Sequence, residues 1–215
     1  MLREPILESI GDPLAVCLLP VLMHRMNNAT QLLSNLHGIQ QQCPERDWLR
    51  DRAPELGESS ESIQRIGYLL AVLSSACGAD LLLARRELHG LQYMVDAVTD
   101  VVRREGGELS AHPGSLPNLS PSVHQGWELP WAFGALLHDA AFSSESSAAV
   151  EWQLLHDQTG WVLISSCIPA DRFVRLGPLV EERLPESILE VCAEGWSWRL
   201  PEAWLLEQNG GRCES

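Results

Sequence analysis

The sequence predicts an α+β protein in which a long helical hairpin precedes a smaller α/β half. Two observations predict it. From Asp12 to about Ala84, apolar residues return at steps of three and four, the period of a helix with one buried face. Beyond Gly106-Gly107 the chain turns to Pro, Ser and Gly punctuation, with short runs of alternating or β-branched residues, the pattern of helices set on a small sheet. The implied division is residues 1–84 for the hairpin and 85–215 for the α/β half.

Each element has a local reason. Asp12-Pro13 is a helix start, with Asp capping and Pro in the first turn. Leu18, Leu22, Met26, Ala29, Leu33 and Leu36 then form a stripe along a helix reaching about Gln42, stopped by Cys43-Pro44. Glu45–Gly57 is a charged connection containing Pro54. A second helix, about Ser59–Ala84, carries Ile63, Ile66, Leu70, Leu73 and Cys77 on one face. A single hairpin cannot cover both stripes, so a second copy is expected to complete a dimeric four-helix bundle.

A third helix, about Arg85–Glu105, points Leu88, Leu91, Val95, Val98 and Val102 inward and stops at Gly106-Gly107. Glu108–Ser122 has room for one short strand, and Leu129–Phe142 reads as a helix. Ala149–Leu155 and Trp161–Ser166 read as strands joined by the turn His156–Gly160. Pro178–Leu184 and Glu186–Glu194 read as helices, and Ser197–Leu200 with Ala203–Gln208 as a terminal strand pair. Gly210–Ser215 reads as a frayed tail. All tryptophans but Trp48 fall after Gly126, which suits core and sheet packing; the sharper alternative is that some fill a ligand pocket or form a partner surface.

Composition excludes several classes. A net charge of −14 argues against nucleic-acid or anionic-membrane surfaces, which need clustered Lys and Arg. The six cysteines include no C-x-x-C pair, so neither a zinc site nor a redox dithiol is signalled, and buried thiols in a reducing compartment are expected. Met1–Ile10 lacks the apolar core of a secretory leader, and Leu14–Met23 is too short to span a bilayer; a cytoplasmic location is the expectation. No ligand spacing for a metal, no Gly-x-Ser-x-Gly elbow and no Gly-x-x-x-x-Gly-Lys loop occurs.

The stretch that carries chemistry is His24-Arg25-Met26-Asn27-Asn28. At about 100° per residue, His24 lies opposite Leu33 and beside Asn28, one turn later. An exposed imidazole with one unprotonated nitrogen is a nucleophile that a phosphoryl donor can reach. Asn28 is placed to hydrogen-bond the ring or a phosphate oxygen, and Arg25 adds positive charge.

His24–Asn28, with Leu32-Leu33 after it, resembles the phosphorylated histidine box of two-component histidine kinases, and the hairpin resembles their dimerisation and histidine phosphotransfer domain. The order of the later elements, with Leu136–Ser143 on a helix, resembles their ATPase domain in a degenerate form. The differences are specific. Asp139 stands where that family places a magnesium-binding Asn, and Ala135 where its helix carries a catalytic Glu. Ser165–Arg172 contains no glycine, where the family has an Asp-x-Gly-x-Gly adenine loop, and Gly177 stands alone where a glycine-rich lid is expected. Arg25 occupies the position where many members carry an acid that acts as base.

The resemblance therefore implies a histidine phosphotransfer protein without ATP binding. It relays a phosphoryl group between response-regulator receiver domains through His24, with Asn28 and Arg25 assisting. No cofactor is bound by the chain; the receiver supplies Mg2+. The expected partners are receivers and a second copy of the chain, with no nucleic acid and no membrane. The alternatives are a dimeric pseudokinase-like module that sequesters a regulator, with His24 incidental, and an ATP-dependent kinase with an altered pocket.

Overall fold

A computed structural model describes residues 12–42, 52–76, 91–112, 119–121, 128–143, 149–165, 171–192 and 195–207. Among them are five helices: α1 (Asp12–Gln42), α2 (Ala53–Ala76), α3 (Gln92–Arg104), α4 (Glu128–Ser143) and α5 (Asp171–Arg183). The strands are β1 (Leu109–Ala111), β2 (Leu119–Pro121), β3 (Val150–Asp157), β4 (Gly160–Ser165), β5 (Ile188–Cys192), β6 (Gly195–Leu200) and β7 (Leu205–Glu207). Five form a mixed sheet in the order β1-β3-β4-β6-β5, with β1 parallel to β3 and the other pairs antiparallel; β2 pairs with β7 in a separate two-stranded sheet. The protein is α+β.

α1 is helical over all of its described residues, Pro20 in its interior included. α2 starts earlier than its apolar stripe suggests, at Ala53. Pro54 lies in its first turn, where its missing N–H is no loss, and Arg52 closes an ion pair with Glu55 at 2.7 Å. The expected continuation of α2 to Ala84 and the start of the third helix at Arg85 lie outside the described residues, as do Cys43-Pro44, residues 166–170, Trp127 and the tail after Glu207.

α3 ends on two glycine signals. Gly106 takes φ +86°, its N–H donates to Arg103 O at 3.2 Å, and Gly107 N–H donates to Val102 O at 2.9 Å, the paired bonds of a Schellman cap. The four expected inward residues of α3 that are described, Leu91, Val95, Val98 and Val102, are buried.

The sheet presents one face to the helices. Trp152 and Leu154 on β3, Leu163 on β4, and Trp196, Trp198 and Leu200 on β6 are buried, whereas Glu151 and Leu155 on β3 are exposed. Phe133 of α4 is the peg, packing edge-on to Trp152 at 6.0 Å and tilted to Trp198 at 6.4 Å. The tryptophans Trp131, Trp152, Trp161, Trp196, Trp198 and Trp204 are core. One hydrophobic cluster runs from Leu18 and Leu69 of the hairpin through α3 and α4 to Trp204.

Four readings of the α/β half need correction. Glu108–Ser122 carries two short strands, β1 and β2, not one, because β2 gains a distant partner in β7. Ile188–Cys192 is a strand, not part of a helix over Glu186–Glu194, because it pairs along its whole length with β6 from Ile188↔Arg199 to Cys192↔Gly195. Sheet pairing at an edge overrides the helix-compatible Glu and Leu content. Ser197–Leu200 and Ala203–Gln208 do not pair with each other; the first joins β4 and β5 in the large sheet, and Leu205–Glu207 pairs with Leu119–Pro121. Pro178 does not open a helix but sits inside α5, which starts at Asp171.

The hairpin stripes also divide. Leu18, Val21, Leu22, Ala29 and Leu36 on α1, with Ile66, Leu69 and Val72 on α2, are buried within the chain. The hairpin packs on α3 and α4, which cover one side of it. Val16, Leu19, Met23, Met26 and Leu33 on α1, and Ile63 and Leu70 on α2, remain exposed. No helix among the described residues is long and apolar enough to cross a membrane.

Candidate functional site

α1 presents His24 and Asn28 together to solvent. The amide Nδ2 of Asn28 lies 3.2 Å from His24 Nε2, one helical turn away. An amide nitrogen only donates, so where this contact is a hydrogen bond Nε2 accepts it and the neutral ring carries its proton on Nδ1. Nε2 then stays unprotonated, as a nucleophilic imidazole requires, with its lone pair held by the Asn28 amide until that amide moves away.

Arg25 goes elsewhere. Its Nη2 lies 2.6 Å from Asp100 Oδ2 on α3, with the side chain 18% exposed. Its guanidinium faces a cleft of about 270 Å³ that it shares with Glu58, Glu61, Ser62 and Arg65. Arg65 makes the matching contact from α2. It reaches Glu61 at 2.6 Å and Asp96 at 3.3 Å, and lies 5.0 Å above the ring of Tyr93, which packs edge-on to Tyr68. Asp96 and Asp100 stand one turn apart on α3, so two arginines of the hairpin grip one acidic edge. Gln92 Nε2 donates to Asp96 Oδ1 at 2.6 Å and holds that carboxylate in place.

The consequence for His24 is geometric. With Arg25 turned into the α1–α2–α3 groove, the adjoining residue is rotated about 100° away, onto the open side of α1. The ion pairs are part-buried, and they tie α1 and α2 to one face of α3. Asp96, Asp100 and Arg65 were not legible as site residues. The only sequence trace is an i, i+4 carboxylate pair on a helix whose other faces are apolar.

α4 is buried from Leu129 to Ala140, Gly134 included. Ala135 and Asp139, at the positions the resemblance singles out, are 2% and 6% exposed. His138 Nδ1 lies 3.7 Å from Asp139 Oδ1, and the His138 ring packs on Phe142 at 4.9 Å. Close by, Cys17 Sγ of α1 donates to Glu105 Oε1 at 2.8 Å. Burial and the neighbouring carboxylate push the Cys17 thiol up to about 11, so it is a neutral S–H.

The β3–β4 hairpin is pinned from its own turn. Asp157 Oδ1 accepts the Thr159 N–H at 2.7 Å and the Thr159 hydroxyl, and Asp157 Oδ2 accepts Arg199 Nη1 at 3.0 Å. These bonds to the ionised form hold the carboxyl down to about 2. The chain matches no protein-family profile and no curated protein.

Proposed function

We propose that this chain is a histidine phosphotransfer protein that relays a phosphoryl group between response-regulator receiver domains through His24, without binding ATP. The observation that carries this reading is the solvent-facing His24–Asn28 pair, with the amide of Asn28 3.2 Å from Nε2. In the transfer, the Nε2 lone pair attacks the phosphorus of a receiver's aspartyl phosphate. The N–P bond forms as the P–O bond to the aspartate breaks, and the freed carboxylate keeps the electron pair. The ring, briefly cationic, sheds its Nδ1 proton to water, and a second receiver reverses the step. Asn28 moves its N–H from the ring to a phosphoryl oxygen as the new bond forms. Arg25 acts as a positioning residue through Asp100. Mg2+ is supplied by the receiver, and the work left to this chain is alignment.

The same reading makes the protein a homodimer whose hairpins form a four-helix bundle. Val16, Leu19, Met23, Met26 and Leu33 are exposed at alternating steps of three and four once Thr30 is counted, the a/d repeat of a helix-packing seam. The seam centre lies about 130° around α1 from His24, so dimerisation leaves the imidazole open to a receiver. Leu33→Glu places a charge in the seam and is expected to yield monomers; sedimentation at micromolar concentration reads it. Wild type that sediments as a monomer rules the bundle out.

The absence of ATP binding is proposed from two features. The segment between β4 and α5 has no glycine to let backbone approach a nucleotide. The helix that lines the nucleotide site in the resembling family is here buried against the rest of the chain. Calorimetry with Mg-ATP is expected to show no saturation up to millimolar concentration, and micromolar saturation favours a kinase instead. The deciding experiment incubates the protein with a phosphorylated receiver. Label transferred to this chain supports the relay, whereas a stable complex without transfer favours a sequestering module.

A further inference from the structure

The tertiary structure brings together three side chains that the chain keeps far apart. Cys17 comes from α1, Glu105 from the C-cap of α3, and His138 from the middle of α4. One ligand atom of each lies within 4.8 Å of the others. His138 is 5% exposed, and neither ring nitrogen has a hydrogen-bond partner. A buried imidazole with both nitrogens unengaged is costly unless something else occupies it, because the ring keeps none of its hydration. Cys17 and Glu105 are already in contact at 2.8 Å, so two of the three donors are assembled.

We propose that Cys17, Glu105 and His138 bind a zinc-class divalent ion that clamps the helical hairpin onto the α/β half. Thiolate, imidazole and carboxylate together suit Zn2+ better than Mg2+ or Ca2+, which take all-oxygen shells. A tetrahedral site with bonds of about 2.0–2.3 Å has edges of about 3.3–3.7 Å, so closing the triad needs shifts of about 1 Å. Asp139 Oδ1, 3.7 Å from His138 Nδ1, is a carboxylate beside the imidazole, of the kind that supports a metal-bound ring. The C-terminus of α3 adds the negative end of a helix dipole beside Glu105. Glu105 is exposed, which gives the ion a way in and leaves the fourth position to water. On binding, Cys17 loses its thiol proton to solvent and sulfur donates the freed lone pair to the metal. This site is independent of His24 and does not require the relay.

The test uses the full chain stripped with a chelator and titrated with Co2+. One equivalent is expected to give the near-ultraviolet sulfur-to-cobalt band and the visible bands of a tetrahedral site, and Zn2+ is expected to displace it. Cys17→Ser is expected to abolish the sulfur band, and His138→Phe, which keeps the ring contact with Phe142, to abolish binding. Glu105→Gln, an exposed change that leaves the fold intact, is expected to weaken binding about tenfold or more, the loss seen even when a supporting carboxylate is removed. Cys192→Ser is the control and leaves the spectrum unchanged. A full sulfur band surviving in Cys17→Ser, unchanged affinity in Glu105→Gln, or no saturable Co2+ or Zn2+ binding by the wild type overturns the proposal.

Discussion

His24→Ala is expected to abolish labelling from a phosphorylated receiver while leaving the unfolding midpoint within a degree or two of wild type. The imidazole is exposed and its only hydrogen bond among the described residues is to Asn28, so its removal leaves no buried group unpaired. Alanine also raises helix propensity by a few tenths of a kcal/mol. Loss of transfer without loss of fold is therefore the signature of a phosphoacceptor. Asn28→Ala is expected to slow transfer about tenfold without abolishing it, because the amide fixes the tautomer and orients the ring but makes no bond to phosphorus. The label is expected to be acid-labile and base-stable, since protonating the ring makes imidazole a better leaving group. His37, also exposed on α1, is the internal control: Gln41 stands where the matching Asn would be. Full labelling in His24→Ala, or equal loss in a folded His37→Ala, excludes His24 as the acceptor.

Gly160→Ala is expected to cost about 3 kcal/mol or more, a large share of the roughly 5–15 kcal/mol that holds a domain together. Gly160 opens β4 with φ +134°, a conformation that L side chains rarely adopt and that costs about 1–3 kcal/mol in itself. A Cβ there meets backbone rather than a movable side chain: Leu200 O at 2.3 Å and Glu202 N at 2.9 Å. Either the β3–β4 turn opens, losing the Asp157–Arg199 contact, or the end of β6 moves away from Trp161. Urea unfolding reads the loss directly, and the thermal midpoint is expected to fall by about 6–12 °C. Gly38→Ala is the contrast. It lies in α1 with nothing within 4 Å of the added carbon, so it is expected to be neutral or to stabilise by up to about 1 kcal/mol. A Gly160→Ala protein within 0.5 kcal/mol of wild type, an interval taken as about the scatter of surface substitutions, rules out this account of the turn.

The features that the sequence determined alone rest on local signals. The helical course of α1, the glycine stop after α3, the buried helix near Leu129–Phe142 and the β3–β4 hairpin each depend on a period, a cap or a turn within a few residues. The pairing of His24 with Asn28 was legible for the same reason, since a helix brings i and i+4 together whatever surrounds it.

The rest was decided by contacts between distant segments. Ile188–Cys192 became a strand because β6 offered an edge, and Leu205–Glu207 paired with Leu119–Pro121 across the chain; neither pairing is visible from local pattern. The α1 stripe divided into an inward face and an outward seam because α3 and α4 cover one side of the hairpin. Arg25 sits one residue from His24, and the sequence put its charge beside the imidazole. The carboxylate of Asp100, far along the chain, holds it in the groove against α3 instead. The Cys17–Glu105–His138 cluster has no motif at all, because its spacing is set by the packing of three helices rather than by the turn of one. Short-range geometry is written in the order of residues; which side chains meet across the core depends on how the apolar faces are buried against one another, and that is a property of the whole chain.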